Sequence, residues 1–230
     1  MSKWVKIAVV LSLFTGFFYS CQHSYVAYES VVVEVSDSLS GQDKIEELIR
    51  PYSDQLKSKM GERLGYAACD HVKNRPEGNL GDWVADLTLE RATVDFRDSG
   101  EVKLIALFNH GGLRAPIGKG DILLSSIYEL MPFDNEIVYI QLLPERWKQI
   151  HEYLRQSGGE PIAGFSYADS LWNDNFWVVT SDYLANGGDR MNFFKEPLQS
   201  VKTGRLLRDE IIDFVRENDT ICVQMDGRWQ

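Results

Sequence analysis

Ala106-Leu107-Phe108-Asn109-His110-Gly111-Gly112-Leu113-Arg114-Ala115-Pro116 is an apolar run that ends in Asn-x-Gly-Gly-x-Arg. It reads as a strand delivering a polar fork to a loop. Two successive glycines permit positive φ and remove the side chains that would keep a ligand off the backbone. Arg114 offers a planar, permanently charged fork suited to phosphate or carboxylate. Gly118-Lys119-Gly120-Asp121 and then Met131-Pro132-Phe133-Asp134-Asn135-Glu136 follow. The proline sets the Phe133 ring in a loop rather than in a strand. Amide, cation and ring within one stretch suit a phosphorylated molecule with a flat ring.

A second stretch has the same build. Asp182-Tyr183-Leu184-Ala185-Asn186-Gly187-Gly188-Asp189 puts another Asn-Gly-Gly behind an apolar strand and beside an aromatic ring. If Phe133 and Tyr183 stand on opposite walls, they clamp a flat ring. Taken singly, each ring also fits a half-buried packing role. Upstream, Asn74-Arg75-Pro76-Glu77-Gly78-Asn79 is a loop ahead of a helix that runs to about Arg91, with Asn79 placed to cap it. Helix N-termini attract anions, and Arg75 just ahead would add to that. A capped helix with a surface arginine fits the same residues.

The remaining pattern alternates strands and helices. Strands are expected over Tyr25–Val35, Gly65–Asp70, Val102–Phe108, Glu136–Leu143, Ile162–Asp169, Phe176–Thr180 and Thr220–Met225. Helices are expected over Asp43–Met60, Ser125–Leu130, Glu145–Gln156 and Gly204–Asn218. In the first of these, Ile45, Leu48, Ile49, Tyr52, Leu56 and Met60 form the apolar face, and Pro51 is expected to kink the helix or start a second segment. Gly158-Gly159 ends the third. Some neighbouring strands have connections that suit antiparallel pairing. The fold class is therefore α/β, a single domain with a mixed β-sheet and packed helices.

The chain has 230 residues, 44% hydrophobic and 25% charged, which is ordinary for a globular protein with a sizeable core. Its formal net charge of −10 argues against nucleic-acid binding, which needs a basic face. A single nucleotide remains compatible, because a local arginine cluster can override the average. Residues 1–20 read as a leader: Lys3 and Lys6, then the apolar Ile7–Phe18, too short to span a membrane comfortably. Ser20-Cys21 follows at once and resembles a bacterial lipoprotein signal, although Phe18 stands where leucine is usual. Lipidation of Cys21 would anchor an exported protein to a membrane, in the periplasm or at the cell surface. A secretory leader with a coincidental cysteine is the alternative. Residues 21–40 then form a tether with the first strand, and residues 41–230 the domain. Cys69 and Cys222 remain. They could pair outside the cytoplasm or stay as two buried thiols.

Five motifs in order resemble the C-terminal, substrate-binding domain of the 5′-nucleotidases, from about Gly61 to the C-terminus. Asn109-x-Gly111-Gly112-x-Arg114 looks like the family's Asn-x-Gly-Gly-x-Arg. Met131-Pro132-Phe133 is similar to its Leu-Pro-Phe, and Tyr183-Leu184-Ala185-Asn186-Gly187-Gly188-Asp189 to its Phe-Leu-Ala-Asn-Gly-Gly-Asp. Asn79-Leu80-Gly81 with Ala85-Asp86 resembles the family's helix start, and Gly227-Arg228 its closing Asp-Gly-Arg. The resemblance implies roles. Arg114 would bind a nucleotide phosphate, joined by Arg75, and Asn109 would contact base or phosphate. Phe133 and Tyr183 would stack on the base, and Asp189 would bind the ribose hydroxyls. Gly111, Gly112, Asn186 and Gly187 would complete the substrate-binding set.

Family members carry this domain behind a metallophosphatase domain that holds two metal ions. Here the four histidines stand at 23, 71, 110 and 151, none in a dimetal pattern. The sequence therefore predicts no catalytic residues, metal site or cofactor in this chain, with divalent metals expected only in a partner. Two functions are compatible with that. One is the substrate-recognition part of a nucleotidase whose separate metallophosphatase subunit does the hydrolysis. The other is a surface protein that captures nucleotides or nucleosides, or keeps the fold as an interaction module.

Overall fold

The computed structural model describes residues 43–100, 102–164 and 174–229. The expected leader, Cys21, the strand over Tyr25–Val35 and the end of the strand over Ile162–Asp169 lie outside them. The chain divides into two units, 1–47 and 48–230. Only the opening of helix α1 (Asp43–Met60) represents the first, and the sheets and remaining helices belong to the second. Helix α1 is one element through Pro51, where the sequence predicts a kink or a new segment. Its apolar stripe does not turn inward. Leu48, Ile49, Tyr52 and Leu56 are exposed, and of this stripe Met60 packs against the core.

Among the described residues two mixed sheets form, where the sequence suggests one. The larger has five strands in the order β5 (Ile162–Ala163), β2 (Leu104–Leu107), β6 (Phe176–Ser181), β4 (Glu136–Leu142) and β7 (Gln199–Leu206). The smaller has three, β3 (Gly120–Leu123), β1 (Arg63–Ala67) and β8 (Thr220–Ile221). Strand β6 is buried on both faces, which explains its unbroken apolar run. Strand β2 pairs with it in parallel, with Ile105 opposite Val178, and the Thr180 hydroxyl donates to the Leu107 carbonyl at 2.7 Å. Strand β4 runs antiparallel on the other side, so that Ile137 lies opposite Ser181. The C-terminal ends of β2 and β6 and the N-terminal end of β4 therefore share one rim of the sheet.

Helix α2 (Asn79–Asp95) is the core helix. Leu80, Trp83, Val84, Ala85 and Leu87 are buried around it, leaving no continuous polar face. It packs on β2 and β5 and against α6 (Leu207–Asn218), which in turn packs on β1 and so joins the two sheets. Asn79 does not cap α2. Gly78 holds the N-cap position, while the Asn79 amide donates to the carbonyls of Asp70 and Val223 and accepts from the Val72 N–H. An amide engaged by three residues on two segments, Asp70 and Val72 on one and Val223 on the other, fixes the loop after β1 to the C-terminal strap. Helix α3 (Leu124–Leu130) and helix α4 (Glu145–Ser157) form near the expected places, and α4 ends on Gly158 at φ 76°.

The strap from β8 to Arg228 closes the domain. Cys222 forms a disulfide with Cys69 across 153 positions of sequence, with Cα atoms 5.3 Å apart, which settles the open question of their pairing. Beyond it, Val223 N–H donates to His71 Nε2 at 3.1 Å and Gly227 N–H to Glu77 at 2.9 Å. Cross-linking a long loop restricts the unfolded chain most. Cys222→Ser is therefore expected to cost roughly 2–4 kcal/mol in urea unfolding. A reductant should lower the wild type to the variant's value and leave the variant alone. Equal stability of variant and oxidised wild type would contradict this.

Candidate functional site

The shared rim brings three sequence segments together. Asn109, Gly111, Gly112, Arg114, Phe133, Asn135, Tyr183 and Asp189 line one open cleft of about 340 Å³. Phe133 is 40% and Tyr183 49% exposed, so both rings present a free surface there. Of the residues singled out from sequence, seven meet in this cleft, while Asn186, Gly187 and Arg75 do not line it.

Each wall has a local cause. After β2 the chain makes a 3-10 turn over His110–Gly112. A Cβ on Gly112 would stand 2.6 Å from Asn109 Oδ1, so the glycine leaves room for the folded-back amide. Asn109 Nδ2 donates to Asp189 Oδ2, which ties the first loop to the second. Asp189 Oδ1 accepts from the Tyr183 hydroxyl at 3.0 Å, and its carbonyl accepts from the Tyr153 hydroxyl at 3.0 Å. Asp189 sits at φ 49° and ψ 32°, a left-handed conformation that aspartate tolerates better than most residues. Its carboxylate is therefore oriented by two side chains while its backbone is pinned by a third.

The second loop starts as a short helix, α5 (Asp182–Ala185), rather than as an open turn. Asp182 Oδ1 accepts from the N–H groups of Tyr183 and Glu136, joining this loop to the start of β4. Asn186 bonds back to the Asp182 carbonyl at 2.8 Å, and Gly187 takes φ 87° against Lys195. Their part is to turn the chain. A Cβ on Gly188 would come within 2.4 Å of the Tyr183 ring, so the ring lies flat against bare backbone. On the facing segment, Arg208 is 7% exposed and donates to the carbonyls of Met131 and Phe133 and to the Asp134 carboxylate. It lies over the Tyr128 ring at 4.3 Å. Arg208 and Tyr153 thus hold cleft residues from remote positions, and sequence spacing alone carries no sign of either.

The cations differ in how far they are committed. Arg114 is exposed, and its Nη1 donates at 3.3 Å to the Gly111 carbonyl. Arg75 gives Nη2 to Glu160 at 3.1 Å, and the other oxygen of Glu160 accepts from the His110 N–H at 2.6 Å. Glu160 is 5% exposed; burial raises its pKa, against the opposing pull of the His110 N–H and Arg75. Burial lowers the pKa of His110, helped by Lys73 and Arg75, which favours the neutral imidazole.

Behind the 3-10 turn lies a cavity of about 10 Å³, lined by Lys73, Glu77, Asp82, His110, Glu160 and Trp229 among others, space for about one water. Asp82 is 2% exposed, and its Oδ2 lacks a hydrogen-bond partner. Arg228 approaches it at 3.5 Å but bonds more closely to Asp86 at 2.9 Å and Asp226 at 2.8 Å. A guanidinium shared three ways does not offset the loss of water, and desolvation pushes the Asp82 carboxyl up to about 7.

Residues 61–168 match the family described as 5′-nucleotidase, C-terminal domain. The trifunctional nucleotide phosphoesterase protein YfkN of Bacillus subtilis is 26% identical over a stretch covering 77% of this chain and 15% of that protein. A 5′-nucleotidase of Vibrio parahaemolyticus is 28% identical over 61% of this chain and 24% of its own length. Among solved structures, the 5′-nucleotidase precursor of Thermus thermophilus shares the fold at a TM-score of 0.64 and 24% identity, over 80% of this chain and 42% of that one. The chain thus spans less than half the length of these relatives.

The buried carboxyl makes a pH prediction. A raised folded-state pKa means that Asp82 holds its proton more tightly in the native chain than in the unfolded one. Its contribution is intact below the ordinary value of 3.8 and is lost as pH rises towards about 7. Urea unfolding at pH 5 and pH 8 should therefore show a larger loss of stability for the wild type than for Asp82→Asn. An equal loss in both would contradict the assignment.

Proposed function

We propose that the chain, whose residues 61–168 match the family described as 5′-nucleotidase, C-terminal domain, is the nucleotide-recognition part of a phosphate-ester hydrolase. A separate metallophosphatase supplies the hydrolysis, and the pair works in nucleotide breakdown. The observation that carries this reading is the single cleft in which Phe133, Tyr183, Asp189 and Arg114 meet. Two exposed rings on one cleft accept a purine or pyrimidine, with stacking that contributes on the order of 1–3 kcal/mol per base. The Asp189 carboxylate, oriented by Asn109 and Tyr183, is an acceptor for ribose hydroxyls. Arg114 presents its fork to a phosphate.

The separate source of the chemistry is carried over from the sequence reading, in which the four histidines stand in no dimetal pattern. The other reading is a surface protein that captures nucleotides without hydrolysing them. Export with lipid attachment at Cys21 belongs to the proposal. It is supported by the leader pattern of residues 1–21 and by the Cys69–Cys222 disulfide, since such bonds persist in oxidising compartments.

Calorimetric titration with AMP tests the cleft. The wild type should bind, and Phe133→Ala or Tyr183→Ala should each weaken binding roughly tenfold. Unchanged affinity in both variants would overturn the assignment. Mixing the chain with a metallophosphatase from the same organism separates the two readings. Faster phosphate release from AMP than by the phosphatase alone supports the split enzyme, and AMP binding with no gain supports capture.

A further inference from the structure

Among the described residues, the longest run of exposed apolar side chains is on helix α1. Ile45, Leu48, Ile49, Tyr52 and Leu56 are each more than half exposed. Four of them, Ile45, Ile49, Tyr52 and Leu56, are spaced four, three and four residues apart. That alternation is the seam of a two-helix pair, narrower than the stripe by which a helix lies on a domain. Pro51 lies off the seam, and the helix runs through it as one element. Met60, four residues beyond Leu56, is where the stripe reaches the core.

Two properties of the helix select what covers the seam. The first is symmetry. A spacing of four, three and four reads the same in both directions. A second α1 laid antiparallel therefore sets Ile45 against Leu56 and Ile49 against Tyr52, and the same two layers recur across the two-fold axis. Every layer is filled by large apolar groups from both copies. Flanking the seam, Leu48 faces Gln55 and Glu46 faces Ser53, so no like charges meet there. The second property is charge. Residues 43–47 hold three acids and one base, and the last turn holds Lys57 and Lys59. Antiparallel helices set each acidic end against the basic end of the other copy, and their dipoles also attract. Parallel helices would set like against like at both ends.

We propose that α1 is a self-association surface: two copies of the chain pair through antiparallel α1 helices, with Ile45, Ile49, Tyr52 and Leu56 of each copy in the seam. No residue lining the cleft takes part, so the assembly carries two clefts. The inference stands whether or not the cleft takes a nucleotide.

The test is sedimentation equilibrium of the full chain over a wide range of concentration. The wild type should show a monomer–dimer equilibrium. Ile49→Glu combined with Leu56→Glu buries charge in the seam and should weaken the dimer roughly tenfold or more. Urea unfolding of that variant should match the wild type where both are monomers, which separates lost pairing from lost folding. Orientation is read from the ends. Lys57→Glu with Lys59→Glu should weaken the dimer several-fold, and adding Glu46→Lys and Glu47→Lys should restore it. Raising the salt should narrow these differences. A wild type that stays monomeric overturns the proposal, and so does a dimer that survives the two seam substitutions. Equal dimerisation before and after the charge swaps overturns the antiparallel arrangement. A monomer whose seam is instead needed to bind a metallophosphatase assigns the stripe to that partner and overturns self-association.

Discussion

The parallel pairing of β2 with β6 is the constraint on which the rest of the cleft depends. Parallel neighbours end on the same rim, and the loops after them must lie side by side. Asn109 and Asp189, 80 positions apart, can share a hydrogen bond only for that reason. The antiparallel entry of β4 adds the third segment, since the residues just before Glu136 reach the same rim as Ser181. A parallel pairing needs a long crossover, and the chain between β2 and β6 supplies it with α3, β4 and α4. The cleft is thus a consequence of topology before it is a consequence of any one side chain.

Around that rim the polar groups are ordered by a supporting layer. Tyr153 holds the backbone of Asp189, Arg208 holds the carbonyls of Met131 and Phe133, and Glu160 holds the N–H of His110. Fixing these groups in advance leaves less conformational freedom to be lost when a ligand arrives. The C-terminal strap serves the same end from below. Through the disulfide, Asn79 and Glu77 it anchors the loop that carries Lys73 and Arg75. The domain accepts one unfavourable element there, the buried Asp82, as part of the ion cluster that holds Arg228.

Much of the cleft was legible in the sequence because glycine and asparagine at loop positions have few other uses. Gly112 and Gly188 sit where a Cβ would strike Asn109 and the Tyr183 ring, one in the Asn-x-Gly-Gly motif and the other in the Asn-Gly-Gly motif. The α/β class and the buried strands were equally clear, since Leu104–Leu107 and the first four residues of β6 are uninterrupted apolar runs. Polar side chains with several possible partners were not legible. Asn79 has the residue type of a cap but spends its amide on Asp70, Val72 and Val223. Arg75 precedes a helix as an anion-binding residue would, yet Glu160, 85 positions away, takes it. Strand β7 carries little apolar alternation because it is an edge strand with an exposed face, and its partner β4 sets its register. Two strands of the second sheet overlap the expected strands at Gly65–Asp70 and Thr220–Met225, but β3 was not expected, and strands of two to five residues carry no sign of their pairing.

The proposed reading, a base between the two rings and a phosphate towards Arg114, fixes where each part of a nucleotide should lie. A crystal structure of the chain with AMP shows whether it does. The purine should stack between Phe133 and Tyr183, with the ribose hydroxyls within hydrogen-bonding distance of Asp189 and the phosphate against Arg114. AMP seated elsewhere, or with its base away from both rings, would contradict this arrangement.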